Sequence, residues 1–199
     1  MLGRMPRVKA FDPEVALDRA VELFWRLGYE GTSLAKLLEF MGISRQSLYD
    51  TYGDKHSLFL AVVDRYRCTT QAQLGALAAG NAPALAEIRD VFAWGTREVF
   101  EHPDHRSCLM ANAALELAQR DPEVRERVAA HLRDVQGVFH SAIERGQQAG
   151  ELDPQRDALA LARFLTSSFH GLSVLARGGA PTPVLRDSIA TTLAVLDGN

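Results

Sequence analysis

Only two cysteines, Cys68 and Cys108, occur in 199 residues. That is too few for a disulfide framework, and both are expected as thiols in a reducing compartment. β-Branched residues are sparse, and apolar and polar residues nowhere alternate for long, which argues against a sheet. The chain, rich in Ala and Leu, reads as all-helical. The apolar run from Ala158 to Leu175 is interrupted by Arg163, Thr166, Ser167, Ser168 and His170, so no membrane span is expected. No apolar signal segment precedes the first helix, and the expected location is cytoplasmic. A large charge of one sign is also lacking. The net value of −3 argues against a chain that coats nucleic acid nonspecifically, so any such contact has to come from a local patch. There is no Gly-rich phosphate loop, nucleophile elbow or helical His-Glu-x-x-His, and acids fall in surface pairs such as Glu123 with Arg127. Neither an enzyme nor a cofactor is expected.

What the chain does have is uneven. Residues 1–67 carry ten Lys and Arg against nine Asp and Glu, whereas the remainder carries twelve against sixteen. The basic residues include Arg4, Arg7 and Lys9, an arm over residues 1–10 without an acid, suited to phosphates or a minor groove or else a solubilising tail. Beyond it, Ser33 to Tyr52 reads as two short helices joined at Gly42. Glycine there can take the left-handed conformation that ends the first helix, and Ser44 can cap the second. This spacing predicts a helix-turn-helix, whose natural partner is the major groove of double-stranded DNA.

Periodicity and breakers extend the pattern to nine helices. The first starts at Pro13 behind Asp12 and runs to about Leu27, and Asp54 caps a long fourth helix. A fifth spans about Ala84 to Glu101, a short sixth Ser107 to Gln119, and a seventh Pro122 to Gln148, with Gly150 as its terminator. Asp153-Pro154 is expected to open the eighth, which ends near Arg177, and Thr182-Pro183 the ninth, to about Leu196. This predicts a DNA-binding domain over residues 1–53 and a larger domain over 54–199. The last two helices are apolar on more than one stripe, which predicts pairing with a second copy in a four-helix bundle about a two-fold axis.

Gly28-Tyr29-x-x-Thr32-Ser33, Met41-Gly42-Ile43-Ser44 and Leu48-Tyr49-x-x-Tyr52-x-x-Lys55-x-x-Leu58 have the order and spacing of the tetracycline-repressor (TetR) family, which the chain resembles. It departs from the common pattern at Leu38, Met41, Gln46, Thr51 and Tyr52, and Lys36 stands where an acid would complete a capping box. The resemblance implies a nine-helix homodimer with an N-terminal DNA-binding domain, a C-terminal pocket for a small-molecule inducer, and a recognition helix over Ser44 to Asp50. Arg45 and Gln46 are the expected base readers, since a guanidinium pairs bidentately with guanine and an amide with adenine. Thr32, Ser33, Ser44, Ser47, Tyr49, Thr51, Tyr52 and Lys55 complete the expected DNA contacts, mostly to phosphates. Leu48 is expected in the core, and the Tyr49 ring reads equally well as packed inside or as reaching a phosphate. The operator is expected to be partly palindromic.

For the pocket, Phe92, Trp94, Met110, Leu117, Phe139, Phe169, His140 and His170 are candidates, although aromatics at helical spacing are usually core. Cys108 joins them. At the start of a short helix beside Arg106 its thiolate would be favoured, which suits a sensor of electrophiles or oxidants; a small buried filler is the alternative. His102-x-x-His105-x-x-Cys108 has metal-like spacing, but Pro103 interrupts it and no fourth ligand is evident, so no metal site is expected. The reading is a ligand-responsive repressor. Thiol or metal sensing through Cys108 is its variant, with a helical enzyme or an adaptor without DNA affinity as the competing classes.

Overall fold

The structure, a computed structural model, describes residues 11–79, 82–101 and 108–197; the arm with Arg4, Arg7 and Lys9, and likewise His102, His105 and Arg106, lie outside them. Among the described residues there are nine helices and no strand: α1 (Pro13–Leu27), α2 (Leu34–Met41), α3 (Arg45–Tyr52), α4 (Lys55–Ala78), α5 (Ala84–Glu101), α6 (Leu109–Glu116), α7 (Pro122–Gln148), α8 (Ala158–Arg177) and α9 (Thr182–Ala194).

Side-chain caps decide most helix starts. Asp12, Ser33, Ser44, Asp54, Asp121 and Asp157 each accept from amides of the first turn they precede. Asp157 is why α8 begins later than Asp153-Pro154 suggested. Its carboxylate takes the amides of Leu159 and Ala160, while Asp153 closes a separate turn with Gln155 and Arg156. α6 is shorter than expected at both ends: it starts after Cys108, and Leu117 departs from helical geometry with φ −126°. The α2–α3 corner rests on Gly42. With φ at +69° it donates to the carbonyls of Leu38 and Glu39, and Arg19 of α1 donates to the neighbouring Met41 carbonyl at 3.1 Å. α1 therefore braces the corner at which α2 stops.

Two apolar clusters organise the chain. The first joins α1, α2 and α3 through Phe24, Leu37, Met41 and Leu48 to Leu58, Phe59 and Val62 of α4, and continues into Leu109, Met110 and Leu117 beside α6. Phe24, Tyr29 and Phe59 interlock at its centre, with Phe59 edge-on to both partners at 5.0 and 4.9 Å. The second cluster packs α5, α7, α8 and α9 with Leu74 of α4, around Phe92, Phe139 and Phe169 at 5.6–6.1 Å between rings. α4 thus serves both units: its first half packs with α1–α3, downstream of residue 53, and its far half packs with the larger domain. Arg67–Asp134 and Arg127–Asp64 pairs fasten it to α7. α8 is long and apolar enough to cross a membrane, a property that the interrupting polar residues did not remove. Its Leu161, Leu165, Phe169 and Leu172 face inward, while Phe164, Val174 and Leu175 are exposed.

Candidate nucleic-acid interface and regulatory cavity

α3 is short, and its presentation is local. The Ser44 hydroxyl accepts from the Ser47 amide at 3.0 Å and lies 2.9 Å from the Ser47 hydroxyl, Leu48 is wholly buried beneath, and Gly53 ends the helix at φ +87°. This roots one side of the helix and turns the other outward. Ser44, Arg45, Gln46, Tyr49 and Asp50 are all exposed. Tyr49, 45% exposed, therefore points its ring to solvent rather than into the core. Gln46 donates its amide to Asp50 at 2.7 Å, a pair one turn apart, so contact with a base requires exchanging that bond. Ser33 is exposed at the α2 cap, and Ser47 and Thr51 are half-buried on the flanks.

Three expected phosphate contacts are corrected. Thr32 is fully buried, and its hydroxyl donates to the Gly28 carbonyl at 2.6 Å, so it closes the α1–α2 loop. Tyr52 turns its hydroxyl inward to donate to the Pro13 carbonyl at 2.7 Å; burial, with Glu14, Asp12 and Asp18 nearby, raises its pKa and keeps the phenol neutral. Lys55 donates to the Tyr29 carbonyl at 2.7 Å and sits 4.1 Å above the centre of that ring. Its ammonium holds the same loop, and burial lowers its pKa against the raising effect of Glu30 and Glu116.

That loop also receives the larger domain. Glu116, the last residue of α6, accepts from the amides of Tyr29 at 2.8 Å and Glu30 at 3.1 Å. Gly28, at φ +73°, is where the carboxylate comes in: a β-carbon there would lie 2.0 Å from its oxygen. Arg120 pairs with Glu30 beside it, and His56 of α4 meets Asp121, the α7 cap, at 2.6 Å. The loop leading into the helix-turn-helix is thus held from both domains.

At the opposite end of α6 lies a cavity of about 500 Å³ between α1, α4, α5, α6, α7 and α8. Its rim carries Asp18, Glu22, Arg65 and Arg97, its walls Trp25, Tyr66, Trp94 and Phe169, and its floor Cys108 and His131. A groove of about 250 Å³ adjoins it, lined by Met110, Leu115, Val128, Leu132, His170 and Val174. Of the expected pocket residues, Trp94, Cys108 and Phe169 line the cavity, and Met110 and His170 the groove. Phe92 and Phe139 are sealed in the second cluster behind Phe169, and Leu117 in the first. His140 faces out on α7, 3.6 Å from Glu144. These four are corrections. Tyr66 and His131 were missed, although His131 breaks the buried α7 stripe of Val124, Val128, Val135 and Phe139, a pattern visible in sequence.

Electrostatics change the reading of Cys108. Desolvation pushes its thiol above the ordinary range, outweighing the amides of Met110 and Ala111 at the helix start, so the expected thiolate is not favoured. Tyr66 donates to its sulfur at 3.7 Å. Burial, then the neighbouring His170, lowers the pKa of His131 to about 4, and burial lowers that of His170. Both imidazoles are neutral at pH 7.

Against known proteins, residues 16–62 match the profile described as "Bacterial regulatory proteins, tetR family", and residues 84–191 that described as "Tetracyclin repressor-like, C-terminal domain". The chain is 36% identical over 194 residues to the uncharacterized HTH-type transcriptional regulator YezE of Bacillus subtilis (strain 168), covering 97% of this chain and 100% of that one. It is 33% identical over 191 residues to the HTH-type transcriptional repressor ComR of Escherichia coli (strain K12), covering 94% and 90%. Among solved structures it is similar to a cysteine mutant of the regulator CifR complexed with 26-base-pair operator DNA, with a TM-score of 0.82, 31% identity, and 94% and 98% coverage.

Proposed function

This chain belongs to the TetR family of transcriptional regulators, and we propose that it is a homodimeric repressor whose α3 reads a palindromic operator and whose cavity binds the effector that releases it. The observation that carries the reading is the outward row Arg45, Gln46 and Tyr49 on a helix rooted by Leu48. Arg45 and Gln46 read bases, and Ser33, Ser44, Ser47, Tyr49 and Thr51 contact phosphates. A cytoplasmic location goes with DNA as the partner.

Dimerisation uses the outward side of α8 and α9. Phe164, Leu175 and Val184 are exposed there, apolar positions that a second copy about a two-fold axis would cover. Pairing sets the distance between the two recognition helices. The operator half-sites then lie about one helical turn or somewhat more apart.

α6 is the connection between cavity and DNA. Its first turn borders Cys108 at the cavity floor, and its last residue caps the Tyr29–Glu30 amides ahead of α2. An effector that displaces α6 changes the support of that loop and hence the setting of α3. It acts only by its difference in affinity for the two arrangements; equal affinity would shift nothing. Gel-shift titration against the DNA flanking the protein's own gene tests the reading: binding should weaken as salt rises and vanish with Arg45→Ala plus Gln46→Ala. Retained binding by that folded double variant overturns it.

A further inference from the structure

Cys108 before α6, His131 on α7 and His170 on α8 converge where cavity and groove meet. One ligand atom from each lies within 4.8 Å of the others, and the two imidazoles stand edge to face at 5.6 Å. His131 is 1% exposed, yet among the described residues neither of its ring nitrogens has a hydrogen-bond partner. His170 contributes a second orphan. Its Nδ1 lies 2.9 Å from the Thr166 carbonyl, which can only accept, so Nδ1 carries the proton and buried Nε2 keeps an unpartnered lone pair. One sulfur, which has only the weak 3.7 Å bond from the Tyr66 hydroxyl and the amides at the start of α6, thus meets two imidazoles, each with a ring nitrogen that lacks a partner among the described residues. Buried polar groups are ordinarily satisfied, and these two imidazoles are not.

We propose that Cys108, His131 and His170 form a binding site for a sulfur- and imidazole-seeking d10 cation, Zn2+ or Cu+. No carboxylate belongs to the triad, so hard cations such as Mg2+ and Ca2+ are poor matches, whereas thiolate with imidazole is the donor set these two ions prefer. Bond lengths of about 2.3 Å to sulfur and 2.0–2.1 Å to nitrogen put the ligand atoms roughly 3.3–3.6 Å apart, so binding draws the groups in by about 1 Å. On binding, the Cys108 thiol loses its proton to solvent and its sulfur takes the ion. The histidines, already neutral, release none. Resting on the function proposed above, a consequence follows: the ion ties the start of α6 to α7 and α8, and so acts on the element whose far end supports the helix-turn-helix loop.

Full-length protein, stripped by chelator and kept reduced, is titrated with Zn2+, and anaerobically with Cu+, each against a chromophoric competitor. One ion per chain is expected from at least one of the two, unaffected by excess Mg2+. Cys108→Ser and His170→Gln, confirmed folded by circular dichroism, should each weaken binding at least 10-fold, and Cys68→Ser should leave it unchanged. A readout without substitution accompanies these: nitrogen-15 spectra of the wild type should show the His131 and His170 ring nitrogens shifting on addition of the ion. Unshifted nitrogens, or folded variants that bind as tightly as wild type, overturn the site. For the regulatory consequence, the ion should change DNA affinity of wild type at least 5-fold and not that of Cys108→Ser. Stoichiometric binding with unchanged DNA affinity overturns the coupling alone, and a protein that fails to bind DNA both with and without the ion counts against the repressor reading rather than the site.

Discussion

The two ends of the molecule place polar chemistry in opposite ways. In the helix-turn-helix, the outward groups Arg45, Gln46 and Tyr49 lie within five residues, and a cap four residues from its anchor, Ser44 with Leu48, sets their direction. In the cavity, Cys108, His131 and His170 come from three helices, and only packing of α6, α7 and α8 brings them together. One end exposes its chemistry and loses little by substitution. The other buries it, where each change also disturbs the core. The contrast teaches that affinity and stability should separate cleanly at the first end and remain entangled at the second.

The largest effect should come from breaking the pair of chains. Phe164→Glu with Leu175→Glu should give monomers by analytical ultracentrifugation and weaken operator binding on the order of 100-fold, because two linked half-site contacts become one. A dimer that survives these charges places the interface elsewhere. Next, Arg45→Ala should cost roughly 1–3 kcal/mol of specific DNA binding. Its melting midpoint in denaturant should imply a stability within about 0.5 kcal/mol of wild type, as for an exposed substitution. Loss of stability instead would erase the contrast between the ends.

Glu116→Ala sharpens the comparison because Glu116 belongs to both ends. Removing the acceptor of two amides should destabilise the protein by about 1–2 kcal/mol and weaken DNA binding with it. Unchanged DNA affinity would show that α6 does not support the recognition loop. The smallest effect is expected at Asp121→Ala, about 1 kcal/mol for a lost helix cap. Burial raises the Asp121 pKa, but the Val124 and Glu123 amides and His56 outweigh it, leaving a net lowering. A carboxylate of depressed pKa contributes stability above its unfolded pKa and loses it as pH falls through the folded value. Urea titrations of wild type and variant should therefore differ at pH 7 and converge at low pH; a constant difference would assign the loss to packing.

The same contrast explains what was legible in the sequence. Gly42 and Ser44 announce a turn and a cap through their own chemistry, so α2 and α3 were readable with their boundaries, and Leu48 with its burial. Thr32, Tyr52 and Lys55 were misread as DNA contacts because hydroxyls and an ammonium beside a recognition helix look free in sequence. The carbonyls of Pro13 and Tyr29, which claim Tyr52 and Lys55, become neighbours only in the folded chain, whereas that of Gly28, four residues before Thr32, is reached by the local turn of the loop. In the larger domain, periodicity separates inside from outside but not core from cavity wall: Phe92 and Phe139 share their spacing with residues that line space, and fill none of it. The start of α8 escaped because two aspartates, Asp153 and Asp157, compete as caps, and Pro154 favoured the wrong one. His131 was overlooked for the opposite reason, being the one polar member of an apolar stripe.

The central claim, that α3 reads DNA from a symmetric pair of chains, is tested most directly by selection from a random duplex library with wild type and Arg45→Ala in parallel. Wild type should enrich an inverted repeat, and the variant should lose its preference at one base pair per half-site while keeping the rest. Enrichment of no motif by wild type, or of the same motif at equal affinity by both proteins, would contradict the account.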